Sequence, residues 1–373
     1  MRILLLGEYS NVHATLAQGL RRLGHEVCVM SDGDGWKNYS RDVDLSRAPG
    51  FCGRFAFLWR LMRALPRMRG YDVVQLINPV FLPLKAERIM PLYRYLRRHN
   101  GRVIMGAFGL DYYWAQVNTD VRPMRYSDFN IGDEVRTDVA ATETYREWVG
   151  NAQERLCRAV ARDADAIVAG MYEYLVTYRI AECGAFRGKT VYIPMPMSVE
   201  PSVAIRPFAP PLRLFIGISK GRSAYKGTDI MLRAARRIKA AYDDRVELCV
   251  AEGVPFAEYQ RMIGGSDVLL DQLYGYTPGM NALLAMSRGI ITVGGGEPEH
   301  YELLHESELR PIINVEPTEE SVYAGLESLV LHPERIDVLK HQSVEYVRRH
   351  HEVMSVARRY EAFYHTTFPP PMA

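Results

Sequence analysis

GGSDVLLDQLYGYTPGMNALLAMSRGIITVGGGEPEHYELL, residues Gly264 to Leu304, reads as a strand, a glycine-containing turn, a helix, a second strand and a glycine-rich turn. Val268 to Leu270 form a short apolar strand. Thr277-Pro278-Gly279 then opens a helix whose apolar face carries Met280, Leu283, Leu284 and Met286, and Arg288-Gly289 ends it. Ile290 to Val293, apolar but for Thr292, has the pattern of a buried strand. The free N–H groups at such a helix start attract an anion. Gly294-Gly295-Gly296 lets backbone approach a ligand closely, just before the carboxylates Glu297, Glu299 and Glu302. The two turns are expected to face one site.

The same alternation runs outward from this stretch. Ile3 to Leu6, Glu26 to Met30, Asp72 to Ile77, Arg102 to Met105 and Asp165 to Val168 read as strands. Helical patterns separate them, among them Leu16, Leu20 and Leu23 closed by Gly24, then Pro91 to Arg98 and Glu143 to Val160. Ile193 to Pro211 is proline-rich and without periodicity, as a linker would be. A second series follows, with a strand at Leu212 to Ile218, a helix at Gly227 to Ala241 and a strand at Val246 to Ala251. Alternating strands and helices mean parallel sheets covered on both faces, so the fold class is α/β with two doubly wound halves. Ligands of such sheets sit at the carboxyl ends of strands, which sends the loops after Leu6, Met105, Ile218 and Val293 to a shared cleft.

At 373 residues the chain suits two domains of ordinary size, and 48% apolar with 24% charged residues excludes disorder as its main state. The net charge of +2 points to no partner, and no nucleic-acid partner is expected. Five cysteines, Cys28, Cys52, Cys157, Cys183 and Cys249, lack paired spacing, which fits reduced thiols rather than disulfides or a zinc site. The opening Met1-Arg2-Ile3-Leu4-Leu5-Leu6-Gly7 is too short for a signal peptide or a membrane span, so a soluble cytoplasmic protein is expected.

Several residues could carry chemistry. Ser219 to Gly227, SKGRSAYKG, places Lys220, Arg222 and Lys226 between a strand and a helix; it suits a diphosphate or is an exposed basic turn, and it lacks P-loop spacing. Asp111, in Gly109-Leu110-Asp111-Tyr112-Tyr113-Trp114, could orient a hydroxyl or accept its proton, or cap a helix, with the aromatics stacking on a flat or ring-shaped ligand or filling a core. Ser10-Asn11-Val12-His13 offers His13 to a phosphate or other ligand, or Ser10 and Asn11 as helix caps. Three Asp-x-Asp triplets, Asp32/Asp34, Asp42/Asp44 and Asp163/Asp165, fall in loops or at a strand border and read as loop carboxylates rather than a metal site. Phe51 to Gly70 sets Phe55, Leu58, Met62 and Leu65 against Arg54, Arg60, Arg63, Arg67 and Arg69. It is an ordinary packed helix with a solvated face or a basic amphipathic helix on an anionic membrane.

Lys226-Gly227-Thr228-Asp229-Ile230-Met231-Leu232 is similar to a K-G-x-D-x-L-L helix start, Ala285-Met286-Ser287-Arg288-Gly289 to A-M-A-x-G, and Gly295-Gly296-Glu297-Pro298-Glu299 to G-G-x-P-E. In this order they resemble the donor domain of the retaining GT-B glycosyltransferases, the group 1 or glycogen-synthase-like family. Leu16-Ala17 to Gly24-His25-Glu26-Val27 and Ala164 to Val168 extend the resemblance to the first half. It implies a GT-B fold of two Rossmann-like domains facing across a cleft. The acceptor side would be 1–203, with 350–373 packing back on it, and the nucleotide-sugar donor domain 204–349. The family's paired donor-site glutamates fall on Tyr276 and Leu284, while Asp271-Gln272 matches an Asp-Gln pair of some relatives.

The resemblance implies transfer of a hexose-type sugar from a UDP- or GDP-sugar, with retention, to a glycan or lipid-linked saccharide, in surface polysaccharide synthesis at the inner face of the membrane. Lys220, Arg222, Lys226, Gly279, Met280, Asn281, Gly295 and Gly296 would bind donor, Asp111 and Glu299 would be catalytic, and Ser10, Asn11, His13 and Tyr112 would lie on the acceptor side. No metal and no cofactor beyond the nucleotide-sugar co-substrate is expected. A sugar-nucleotide epimerase of the same fold and a non-catalytic nucleotide-sugar binder remain as alternatives. A nicotinamide dehydrogenase is not supported, since Gly7-Glu8-Tyr9-Ser10-Asn11-Val12 has one glycine where the dinucleotide fingerprint needs three.

Overall fold

A computed structural model describes residues 1–219, 221 and 223–367, the side chain of Thr367 excepted. The chain forms two compact units. The first comprises Met1–Pro123, Thr144–Pro196 and the C-terminal segment from Val353; the second comprises Met124–Glu143 and Met197–Glu352.

In chain order the strands are β1 (Arg2–Leu6), β2 (Glu26–Ser31), β3 (Val43–Asp44), β4 (Val73–Leu76) and β5 (Arg102–Ala107). Next come β6 (Asn130–Ile131), β7 (Glu134–Val135), β8 (Ala166–Ala169) and β9 (Thr190–Tyr192). The last four are β10 (Leu212–Ile218), β11 (Val246–Glu252), β12 (Val268–Gln272) and β13 (Ile291–Gly294). The sheet of the first unit is ordered β3-β2-β1-β4-β5-β8-β9 and is parallel. Ile3 to Leu6 of β1 are wholly buried, as an apolar run must be when helices cover both faces.

The helix Val12–Arg22 packs on the C-terminal helix Val353–Thr367. Their contact is close at Gly19, where a Cβ would stand 2.6 Å from Ala357 Cβ and 2.8 Å from the Val353 carbonyl oxygen. Tyr364 of the same C-terminal helix donates to Gln75 Oε1 at 2.8 Å. The helical pattern expected over Glu143 to Val160 is two helices, Val139–Trp148 and Ala152–Asp163. Gly150, at φ 79°, breaks the run, and Asn151 caps the second helix by accepting from the N–H groups of Gln153 and Glu154.

The sheet of the second unit is parallel and ordered β11-β10-β12-β13. Leu214, Ile216, Val268 and Leu270 pack with Met231 and Ile238 of the helix Thr228–Ala241 and with Leu326 of the helix Glu319–Leu331. The alternate residues Phe215 and Leu269 enter a separate cluster with Ile263, Ala285 and Ile290. Alternation along each strand thus feeds two cores, one per face. Asp267, wholly buried before β12, is held by Lys340 at 3.0 Å and Arg206 at 2.9 Å, the pairing a buried carboxylate needs. From β10 the chain passes to β11 on one side and later to β12 on the other, so the order reverses between β10 and β12. The carboxyl end of that pair is the switch point where sheets of this kind leave a crevice.

Candidate functional site

Three loops meet at the switch point. The N–H of Leu273, just past β12, donates to the Lys226 carbonyl at 3.0 Å, tying the loop after β10 to the turn after β12. The N–H of Glu297, past β13, donates to the Tyr276 carbonyl at 3.2 Å and brings in the third loop. Two glycines make this approach possible. A Cβ on Gly294, at φ 113°, would lie 2.3 Å from the Gln272 carbonyl oxygen, and one on Gly295, at φ 45°, 2.9 Å from that of Thr277. The two glycine turns of the opening stretch are therefore in contact.

Around them stand polar side chains. The register of β12 against β13 shifts between Leu270 and Gln272, which sets Asp271 out of the ladder. Asp271 Oδ1 accepts from Asn281 Nδ2 at 3.1 Å, and Tyr259 donates to Asn281 Oδ1 at 3.2 Å. Gly279 faces this pair, since a Cβ there would be 3.6 Å from Asp271 Oδ2. The helix Met280–Met286 begins at Gly279 without a side-chain cap, and Met280 itself is buried. The Gly296 N–H donates to Asn314 Oδ1 at 3.3 Å. Lys226 ends the short helix Ser223–Lys226 and is half-buried; Lys220 and Arg222 lie outside the described residues.

The segment Met124–Glu143 supplies what the sequence did not suggest. Arg125 grips Glu299 with both terminal nitrogens of its guanidinium and reaches Glu297 with one of them. Tyr126 donates its hydroxyl to Glu297, and its ring lies 5.0 Å from that of Tyr276. The Arg125 N–H donates to the Tyr276 hydroxyl at 2.7 Å, and the guanidinium carbon is 5.2 Å from the centre of that ring. Further along, Tyr225 donates to Asp128 at 2.8 Å, and Arg136 stacks on Tyr274 at 4.0 Å while donating to the Ala224 carbonyl at 3.1 Å. Tyr276 is 1% exposed, and burial raises its hydroxyl to about 12. The bond to Glu299 raises Arg125 further above its ordinary range. Charge assistance makes such carboxylate contacts the stronger kind of hydrogen bond.

The first-unit candidates occupy a different setting. Asp111 is wholly buried; it caps the helix Tyr112–Asp120 by accepting from the Trp114 N–H at 2.9 Å and also accepts from Tyr178. Burial raises its carboxyl to about 6. Tyr112, also buried, accepts from Arg158 at 3.3 Å. His13 is a core residue, its Nδ1 on the Gly7 carbonyl at 2.8 Å and its Nε2 3.2 Å from Gln75 Nε2, and burial lowers it to about 4. The neutral ring then donates from Nδ1 and accepts at Nε2, a tautomer fixed by its partners. Ser10 and Asn11 both have positive φ, at 52° and 74°. Ser10 accepts from Lys37 at 3.0 Å, and Asn11 caps no N–H of the helix with its side chain. Glu8 takes that role, accepting from the N–H groups of His13 at 3.2 Å and Ala14 at 2.8 Å.

The Asp-x-Asp triplets are locally satisfied: Asp34 by Lys37, Asp42 by Arg21, Asp44 by Arg41 and Arg60, and Asp163 and Asp165 by Arg97. Among the described residues no group of three or more His, Cys, Asp or Glu could hold a metal ion, and no helix is long and apolar enough to cross a membrane.

No family model matches this sequence, and no curated protein does either. Solved structures do match, and they place the chain in a fold class. Anabaena Alr3699/HepE, in complex with UDP and glucose, superposes with a TM-score of 0.59 over 98% of this chain and 100% of its own, at 11% identity. WaaG, a glycosyltransferase involved in lipopolysaccharide biosynthesis, gives 0.56 over 99% and 100%, at 12% identity. A Listeria monocytogenes protein assigned as a UDP-N-acetylglucosamine 2-epimerase gives 0.54 over 99% and 96%, also at 12% identity. The chain has the GT-B fold, with two Rossmann-like units.

Proposed function

We propose that this protein is a glycosyltransferase that moves a hexose-type sugar from a UDP- or GDP-sugar, with retention, to a hydroxyl of a glycan or lipid-linked saccharide in surface polysaccharide synthesis. The observation that carries the reading is the meeting of the loops after β10, β12 and β13 at the switch point, with two glycine turns in contact and Asp271, Asn281 and Glu299 around them. HepE, of the same fold, holds UDP and glucose. Lys226 would face the diphosphate, so neither metal nor further cofactor enters the reading. The bond from the anomeric carbon to the acceptor oxygen forms as its bond to the phosphate oxygen breaks, and the acceptor proton passes to the departing phosphate. Rate enhancement then comes from positioning and from stabilising the leaving charge. Asp111, as the cap of its helix, would position Tyr112 on the acceptor side rather than move a proton itself.

A lipid-linked acceptor fits the helix Gly50–Ala64. It buries Gly53, Phe57 and Ala64 and exposes Phe51, Phe55, Leu58, Trp59 and Met62 beside Arg54 and Arg63. An exposed apolar stripe with basic flanks suits an anionic membrane surface at the cytoplasmic face.

One observation favours a second reading, a nucleotide-sugar binder without turnover. Tyr276 stands where the resemblance expects a carboxylate, and its hydroxyl is engaged by Arg125. A thermal-shift panel of UDP, GDP, ADP, dTDP and their sugars, followed by donor hydrolysis, separates these readings. Stabilisation by one nucleotide with slow sugar release is the expected result. Binding without turnover favours the binder, sugar interconversion an epimerase, and no binding at all removes the site.

A further inference from the structure

Arg125 precedes the proposed site by about 150 residues in the chain, yet its guanidinium engages both carboxylates that follow the glycine turn after β13. Glu297 is 5% exposed at its side chain, Glu299 28% and Arg125 55%, so the group is anchored at one end and open at the other. An ionised carboxylate offers about four acceptor positions. Arg125 and Tyr126 occupy two on Glu297, and Arg125 occupies two on Glu299. What is left accepts hydrogen bonds from hydroxyl groups. The three charged groups sum to one negative charge, which repels an acidic sugar.

We infer that Arg125 is a positioning residue of the sugar end of the site. It clamps Glu297 and Glu299 into one fixed pair that accepts hydroxyls of an uncharged sugar and disfavours a uronic or other carboxylated one. This rests on the nucleotide-sugar reading and names its substrate class. Tyr276 serves as the dock that keeps the clamp in place: its hydroxyl receives the Arg125 N–H and its ring underlies the guanidinium. The position that a donor-binding acid would fill is thereby used to hold two other acids.

The test compares binding of UDP, UDP-glucose and UDP-glucuronate, and of GDP and GDP-mannose, to the full chain and to Arg125→Met, Arg125→Lys and Glu299→Gln, with thermal midpoints recorded. The wild type should prefer the neutral sugar. Arg125→Met should leave the affinity for the bare diphosphate within about twofold and reduce the added affinity for the sugar nucleotide by about tenfold, as expected for lost charge-assisted contacts. Arg125→Lys should restore part of it, since an ammonium keeps the charge but not the two-pronged grip. If Arg125→Met does not fold, Glu299→Gln, at a half-buried position, should show the same separation of sugar from nucleotide. An unchanged ratio of sugar-nucleotide to nucleotide affinity in folded Arg125→Met or Glu299→Gln, or a wild type that favours UDP-glucuronate, would overturn the inference while leaving the nucleotide reading intact. Failure of the wild type to bind any of the five ligands would overturn both.

Discussion

Glu8 sits where the first helix of a Rossmann-like unit would otherwise offer its N–H groups to a phosphate, and its own carboxyl accepts from His13 and Ala14. The start of that helix is thus filled from within the chain. Burial pushes the Glu8 carboxyl up to about 8, from 4.5 in the unfolded chain, despite the backbone N–H groups that favour its charged form. A pKa higher in the folded than in the unfolded state stabilises the fold fully below about pH 4.5, and that contribution is lost as pH rises to about 8. His13 slopes the other way. Its folded value of about 4 against 6.5 means stability is lost as pH falls through that window. Denaturant midpoints from pH 4 to 9 should therefore show wild type falling relative to Glu8→Gln between about 4.5 and 8, by on the order of 3–5 kcal/mol in total. Parallel curves for the two proteins across that range would mean that Glu8 stays ionised in the fold.

At the scale of the element, the helix Gly50–Ala64 makes the clearest prediction. Its exposed Phe55 and Met62, with Trp59 stacked against Arg63 at 4.7 Å, form a surface that a solvated helix has no reason to keep apolar. Co-sedimentation with vesicles containing anionic lipid should recover the wild type, and Phe55→Ser with Met62→Ser should lower recovery several-fold without changing nucleotide affinity. Equal recovery on neutral vesicles would remove the charge part of the argument. The sequence located this helix and Arg54, Arg60 and Arg63 on it, but ran it on to Gly70 where it ends at Ala64 before the turn Leu65–Arg67, and did not say which apolar residues face inward. Phe57 is buried and Phe55 is not, because small residues at Gly53 and Ala64 let the helix approach on their side. Legibility follows the range of the interaction. β10 runs from Leu212 to Ile218 as its apolar run indicates, and the two glycine turns were readable because φ and close approach are local demands. The membership of Met124–Glu143 in the second unit was not. That segment is held by pairs such as Arg125 with Glu299 and Tyr225 with Asp128, far apart in sequence and without periodicity. Asn11 looked like a helix cap by residue type, but its left-handed backbone leaves the role to Glu8.

At the scale of the whole molecule, the chain leaves the first unit and returns to it twice, and the final return has energetic weight. The helix from Val353 closes over Gly19 and sends Tyr364 to Gln75, which also meets His13. A side chain at position 19 has no room, since the nearest obstacle includes the backbone carbonyl of Val353, which cannot turn aside as a flexible side chain would. Gly19→Val should destabilise the first unit by about 1–3 kcal/mol, the range for overpacking. Hydrogen exchange resolves the consequence unit by unit, because opening reports local as well as global free energy. In Gly19→Val, exchange should rise in β1, β2 and the helix from Val353, while the strands β10, β12 and β13 keep their wild-type protection. Adding UDP or GDP to either protein should slow exchange in the loops after β10, β12 and β13 and at 124–131, and the dissociation constant should match wild type within about twofold, since mass action stabilises only what the ligand holds. Loss of protection in β10 or β12, or a nucleotide affinity that falls with the substitution, would show that the two groups of segments do not respond as separate units and that the proposed donor site does not stand on the second unit alone.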